Sequence, residues 1–257
     1  MEKKPTVQQL LNEGGKWFMP SLSLDCVIFG FHENQLKVLL LKMKTADQWA
    51  LPGGFIYREE DIEEAAIRVL KERTGIDQIF LQQFHVFGHP QRVDRKFHID
   101  VFRKGGFKID KDNWILQRFL TVGYYALVDF AYVTPSPDPG SADCAWWDLH
   151  DIHELFLDHK NILDKALETL RLQLNHQPIG YNLLPAKFTM PELQKLYETI
   201  LDKKLDRRNF QRRMTGYGIM KKLPETRKGG AHKAPYLYSF DLRKYRKALQ
   251  EGLQGGW

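Results

Sequence analysis

Two cysteines in 257 residues, Cys26 and Cys144, are too few for a disulfide scaffold and fit a reducing compartment. A chain this long buries enough apolar surface to fold without staples, as one large domain or two ordinary ones. Long hydrophobic runs are missing as well. The longest, such as residues 26–31 and 38–41, are strand-sized and far short of the roughly 18 apolar residues of a membrane helix. Residues 1–16 hold no apolar run of signal-peptide length. These absences point to a soluble, cytoplasmic protein with no membrane partner. Nineteen glycines and twelve prolines are ordinary usage, which excludes a collagen-like or low-complexity chain.

Charge is present but unevenly placed. The formal net charge is +6. Residues 1–180 carry 21 Lys/Arg against 25 Asp/Glu, and residues 181–257 carry 17 against 7. The first part is therefore −4 and the second +10, which together recover +6. A slightly acidic body is joined to a small, strongly basic unit of the kind that attracts polyanions such as phosphate backbones.

The body reads as mixed α and β structure. Residues 21–31 and 35–43 alternate and are rich in β-branched side chains, so they predict two strands joined as a hairpin through the polar turn at residues 32–34. Pro52, Gly53 and Gly54 mark a bend. Residues 60–74 predict a helix, with Ile62, Ala65, Ala66, Val69 and Leu70 at three- and four-residue spacing. Acidic Glu59, Glu60 and Asp61 suit its N-terminus, and Gly75 suits its C-terminus. Further strands are expected at residues 81–87 and 122–133, and a helix at residues 158–174. The segment 88–117 alternates basic and aromatic residues around Gly105-Gly106. It reads as a solvated insertion between two core strands in preference to a loop beside a pocket or partner. His85, His89 and His98 lack tight metal-ligand spacing, so no zinc site is expected.

In the basic unit, Thr189-Met-Pro-Glu192 has the form of a capping box with proline in the tolerant first turn. Met190, Leu193, Leu196, Tyr197 and Ile200 then form an apolar stripe. After a short connection, Asp206 caps a second helix running to Met214, which gives a helix-turn-helix pattern. Phe210 and Met214 should face the core. Arg208 and Arg212 then fall nearly opposite, flanked by Asn209 and Gln211, side chains suited to bidentate contacts with guanine and adenine. Arg207 and Arg213 sit toward the sides, better placed for phosphate. Residues 219–223 and 236–240 read as two strands of a wing joined by a basic loop. Lys221, Lys222, Arg227, Lys228 and Lys233 could follow a phosphate backbone. Lys228→Ala should then weaken binding to every sequence, whereas Arg208→Ala should relax discrimination.

Gly54, Glu60, Arg68, Leu70, Glu72, Gly75 and Ile76 match the Nudix box, G-x5-E-x7-R-E-U-x-E-E-x-G-U, and Trp49 with Leu51-Pro-Gly-Gly54 is similar to its lead-in. Two positions depart: Val69 and Arg73 stand where the box has glutamates. Residues 69, 72 and 73 share a helix face, which in Nudix hydrolases presents carboxylates to divalent metal. One carboxylate beside a fixed cation is a poor site for Mg²⁺. The expectation is a domain that keeps its pocket and has lost hydrolysis, with no catalytic residue, metal or cofactor. Glu60 and Arg68 read as structural charges at the helix start and surface. Arg58, Glu72 and Arg73 are the candidate effector contacts. For Arg73 an ion pair with a nearby carboxylate is the favoured reading over a phosphate or hydroxyl contact.

A degenerate Nudix box followed by a basic winged helix resembles the Nudix-related transcriptional regulators of the NrtR family. Residues 156–159, 177–189 and 205–214 are similar to that family's linking helix, inter-domain junction and recognition helix. The resemblance implies an α+β chain, with a Nudix-like α/β/α sandwich followed by a C-terminal winged helix-turn-helix domain. Residues 1–155 would sense the effector, 156–180 would form the linking helix and junction, and 181–257 would bind DNA. It also implies a homodimer on double-stranded operator DNA, released by a small-molecule effector that is ADP-ribose-like or a sugar. The missing carboxylates resemble the sugar-sensing branch somewhat more. The rival readings are a Nudix hydrolase of nucleoside diphosphate derivatives with a basic nucleic-acid-binding tail, and a scaffold with no effector.

Overall fold

The structure, a computed structural model, describes residues 5–76, 80–92, 94–174, 176–178, 180–227 and 234–253. The chain divides into two compact units. The first comprises Met1–Phe29, Lys37–Leu127 and Tyr132–Ala166, and the second Gly30–Leu36, Val128–Ala131 and Leu167–Trp257. No helix among the described residues is long and apolar enough to cross a membrane.

The first unit opens with helix α1 (Val7–Trp17), whose N-terminus is closed by a capping box between Thr6 and Gln9. Strands β1 (Phe18–His32) and β2 (Gln35–Met43) form the expected hairpin, and β1 begins three residues before the sequence suggests. Two short strands follow, β3 (Trp49–Ala50) and β4 (Gly53–Tyr57). Helix α2 (Ile62–Thr74) is capped by Asp61 rather than begun at Glu60, because the Asp61 carboxylate accepts from the Glu63 amide. Gly75 ends it in the left-handed conformation at φ 74°, as its position predicts. Strand β5 (Phe80–Phe87) is followed by helix α3 (Arg95–Lys104). Strand β6 (Leu120–Val128) stops short of the expected residue 133, since a 3₁₀ turn occupies Phe130–Tyr132. Strand β7 (Ser141–Asp148) precedes helix α4 (His159–Gln173).

These strands form one seven-stranded sheet in the order β3-β2-β1-β6-β5, with β4 on β1 and β7 on β2. Its centre reads as unbroken apolar runs. Leu24, Val27, Ile28 and Phe29 of β1 and Tyr125 and Ala126 of β6 are essentially inaccessible. Burial of this kind contributes about 25 cal/mol per Å² of apolar surface. The face of α2 formed by Ala65, Ala66, Val69 and Leu70 is buried, as its spacing requires.

The second unit contains β8 (Phe188–Thr189), α5 (Met190–Leu201), α6 (Arg207–Gly216), β9 (Met220–Thr226), β10 (Tyr236–Phe240) and α7 (Leu242–Glu251). Its three strands are ordered β8-β10-β9. β9 runs beyond residue 223 through Pro224. It is an edge strand, where a residue without an amide proton costs no ladder bond. The capping box at Thr189 and Glu192 forms as expected. The turn between α5 and α6 is fixed by side chains: the Leu205 amide donates to Glu198 Oε1 at 2.9 Å, and Gln194 Nε2 donates to the Leu205 carbonyl at 2.9 Å. The first of these bonds holds the Glu198 carboxyl below its ordinary range.

Candidate functional site

The first unit encloses a cavity of about 400 Å³ walled by β1, β4, α2 and the residue 88–117 segment. That segment is not the solvated insertion its composition suggests. It folds as α3 and a 3₁₀ turn at Trp114–Leu116, and it brings Arg92, His98, Val101, Phe102, Phe107 and Ile115 to the cavity wall. Trp114 is held by α1, its indole N–H donating to the Leu10 carbonyl at 3.2 Å. Gly14 lies so close to the indole that a Cβ there would collide with it.

The altered box positions lie on the cavity wall. Val69 is buried in the core at 1% exposure, and Glu72 and Arg73 line the cavity. Arg73 is 5% exposed. Its Nη2 lies 3.4 Å from Asp138 Oδ2 and 3.6 Å from Glu72 Oε2, so the expected ion pair is present. Its Nε and Nη1, also buried, have no hydrogen-bond partner, an arrangement that costs free energy until an acceptor arrives. Mg²⁺ and similar cations take hard oxygen ligands. A valine, one glutamate and a buried guanidinium at residues 69, 72 and 73 do not fit such an ion.

Two neighbouring box residues are structural. Arg68 grips Glu60 through Nε at 2.7 Å and Nη2 at 2.8 Å and donates to the Phe55 carbonyl at 2.9 Å. Arg68 is thus a half-buried tie rather than a surface charge, and it lines the cavity. Arg58 does not reach the cavity. Its guanidinium donates to the carbonyls of Lys16 at 3.0 Å and Gly15 at 3.1 Å, satisfying the open end of α1.

The cavity wall also holds a buried polar cluster that sequence reading missed. Arg92 forks onto Asp158, Nε to Oδ2 at 2.9 Å and Nη2 to Oδ1 at 3.0 Å, and its Nη1 donates to Thr121 Oγ1 at 2.7 Å. Asp25 lies 3.9 Å from Arg92 and 3.7 Å from His159 Nε2. His159 Nδ1 accepts the Leu51 amide at 2.9 Å, which turns Nε2 toward Asp25. Gly53 backs onto this carboxylate so closely that any Cβ would collide with it. Burial raises the Asp25 pKa, partly opposed by His159 and Arg92. The sign follows from linkage: the folded state holds a proton that the unfolded chain releases, so stability falls as pH rises from the ordinary carboxylate value through the raised one. In thermal melts across that window, Asp25→Asn should lose less stability than the unsubstituted protein.

In the second unit, Phe210 and Met214 are buried as the helical wheel requires, Phe210 against the Tyr197 ring at 5.4 Å. Arg207, Arg208, Asn209, Gln211 and Arg212 are exposed on α6. Arg212 donates to Asn209 Oδ1 at 3.1 Å, and Arg213, half-buried, donates to the Tyr217 hydroxyl at 2.9 Å. On the wing strands, Lys221 pairs with Asp241 at 3.1 Å, and Lys222 lies 3.5 Å from the Tyr236 ring centroid. Arg227, just beyond β9, pairs with Glu192 at 2.8 Å. Surface pairs of this kind are weak and screened by salt. Lys228 and Lys233 lie outside the described residues.

The NUDIX domain family matches residues 19–170, and the NrtR DNA-binding winged helix domain family matches residues 180–240. The chain is 32% identical over 234 residues to the ADPR responsive transcriptional repressor NtrR of Acinetobacter baylyi, covering 88% of this chain and 84% of that one. Among solved structures, it is similar to Shewanella oneidensis NrtR complexed with a 27mer DNA, at 25% identity and TM-score 0.71, over 92% of this chain and 99% of that one. A MutT/nudix family protein from Enterococcus faecalis shares the fold at TM-score 0.62 and 24% identity, over 93% of this chain and 95% of that one.

Proposed function

The chain belongs to the NrtR family of Nudix-related transcriptional regulators, and on that footing we propose that it is a repressor whose grip on operator DNA is controlled by an ADP-ribose-like effector in the first-unit cavity. The observation that carries this reading is Arg73, a buried guanidinium with two unpartnered nitrogens, Nε and Nη1, at a box position that hydrolases give to a carboxylate. A phosphate oxygen of the effector would satisfy those donors once the guanidinium, whose Nε and Nη1 are inaccessible in this structure, turns toward it, and charge-assisted bonds of this type are the strong ones. Lys44, Arg68, Arg73 and Arg92 line the cavity against Asp25, Glu72 and Asp138, a balance that tolerates an anion. The same donor set leaves no place for a catalytic divalent ion, so binding proceeds without hydrolysis. A sugar is the second reading, favoured by those three carboxylates as acceptors for hydroxyls.

DNA recognition falls to α6. Arg208, Asn209, Gln211 and Arg212 read bases, while Arg207, Arg213, Lys221, Lys222, Arg227, Lys228 and Lys233 position the backbone. A homodimer presents two such helices about 34 Å apart to successive major grooves. The effector weakens this complex only through unequal affinity for the DNA-bound and free arrangements.

Two measurements test the reading. In equilibrium titrations, ADP-ribose should bind the wild type and bind Arg73→Met at least tenfold more weakly; equal binding would remove Arg73 from the site, and arabinose binding in its place would select the sugar. On duplexes selected from a random pool, Arg208→Ala should cost about 1–3 kcal/mol and narrow the gap between selected and scrambled duplex. A uniform loss on both would assign Arg208 to phosphate instead.

A further inference from the structure

Helix α7 begins directly after the wing strand β10 and lies beyond the stretch matched to the winged helix family. Its two faces differ sharply. Tyr245 is buried: its ring packs on Phe240 at 5.0 Å and Tyr181 at 5.5 Å, and its hydroxyl donates to the Pro178 carbonyl at 2.7 Å. Just past the helix, the Leu253 amide donates to the His176 carbonyl at 2.6 Å. Leu242, Ala248 and Leu249 lie on the Tyr245 side of the wheel, at about 100° per residue. Arg243, Lys244, Arg246 and Lys247 occupy the opposite arc, all exposed.

On α2, α4 and α5, lysines and arginines alternate with carboxylates along the sequence and, apart from Lys71, are at least partly buried. On α7 the one acid is the terminal Glu251, 3.6 Å from Lys247. The start of the helix also joins the wing surface. The Asp241 amide donates to the Ile219 carbonyl at 2.8 Å, and the Asp241 side chain holds Lys221 of β9 while capping the Lys244 amide. The cations of α7 thus continue from a lysine on the edge strand of the wing, on a helix fixed by its opposite face.

We infer that α7 is a second phosphate-binding element of the DNA reader, laying Arg243, Lys244, Arg246 and Lys247 along duplex backbone and adding affinity without sequence preference. The inference rests on reading this unit as DNA-binding. Its chemistry is point-charge contact with phosphate, which releases condensed counterions and makes affinity depend on salt.

The test uses the full chain and duplexes that it selects itself from a random pool. The quadruple variant R243Q/K244Q/R246Q/K247Q leaves the Tyr245 face untouched. Each lost phosphate contact lowers the slope of log K against log salt by about 0.9, so the slope should fall by about 2–4. Affinity should drop at least tenfold at low salt, with the ratio of selected to scrambled duplex unchanged, and the double variant R243K/R246K should keep the wild-type slope. Should the quadruple variant fail to fold, the salt slope of Arg243→Glu decides in the same direction. Wild-type slope and affinity in a folded quadruple variant would overturn the inference and leave the DNA reading standing. A wild type that selects no duplex would overturn both.

Discussion

Phe210→Ala is expected to abolish operator binding while the first unit still binds its effector. Phe210 is 2% exposed, and its ring meets that of Tyr197 across the α5–α6 pair. Truncating a buried phenylalanine costs about 3–5 kcal/mol, from lost transfer energy and the cavity left behind. Domains are stable by only about 5–15 kcal/mol, and a small unit has less core to spend. The helix that carries Arg208 and Arg212 would lose the contact that orients it. Calorimetry with an effector titration checks this. The expected pattern is a lowered transition, lost DNA binding and effector affinity within a factor of two or so. Full DNA binding by the variant would mean that α6 does not depend on this packing.

The second large effect is expected at Arg92. Its side chain is 6% exposed, and it forks onto Asp158 while facing Asp25. Removing one partner of a buried pair leaves an uncompensated charge and costs about 3–5 kcal/mol. Arg92→Ala should therefore be more harmful than Arg92→Ala combined with Asp158→Ala, because the double variant leaves fewer buried charges stranded. Urea unfolding of the two singles and the double supplies the cycle. Additive losses would show that the fork carries no coupling. Asp158 and His159 stand at the start of α4, whose residues up to Ala166 fall in the first unit and from Leu167 in the second. Asp158→Asn should accordingly keep effector affinity within a few-fold and narrow the difference in DNA affinity with and without effector.

Local chemistry explains what could be read in advance. The spacing of Ala65, Ala66, Val69 and Leu70, the glycine at residue 75, and the Thr189–Glu192 box each act within a turn or two, so sequence alone places α2 and α5. The face of α6 follows from the pair Phe210 and Met214. The polar cluster could not be read this way. Asp25, Arg92 and the pair Asp158 and His159 come from well-separated stretches, and only the folded chain brings them together. The residue 88–117 segment misled for a related reason. Of the residues in α3 only Val101 is buried, so its composition resembles a solvated loop. What places it on the cavity is contact with α1 and the sheet. Two-residue β8 was too short to leave a pattern, and its place is set by pairing with β10. Arg58 shows the limit of reasoning from proximity in sequence, since it lies four residues from Gly54 and yet serves α1.

In the function proposed above, ligand binding in a cavity with Val69 and Arg73 at the box's carboxylate positions governs DNA binding. Its most direct test is a single mixture of the protein, a duplex it has selected, ADP-ribose and Mg²⁺, followed for both DNA release and the integrity of the nucleotide. Release of the duplex is expected with ADP-ribose recovered intact, at the same concentration whether or not Mg²⁺ is present. Cleavage of ADP-ribose, or a duplex that stays bound at saturating ligand, would contradict it.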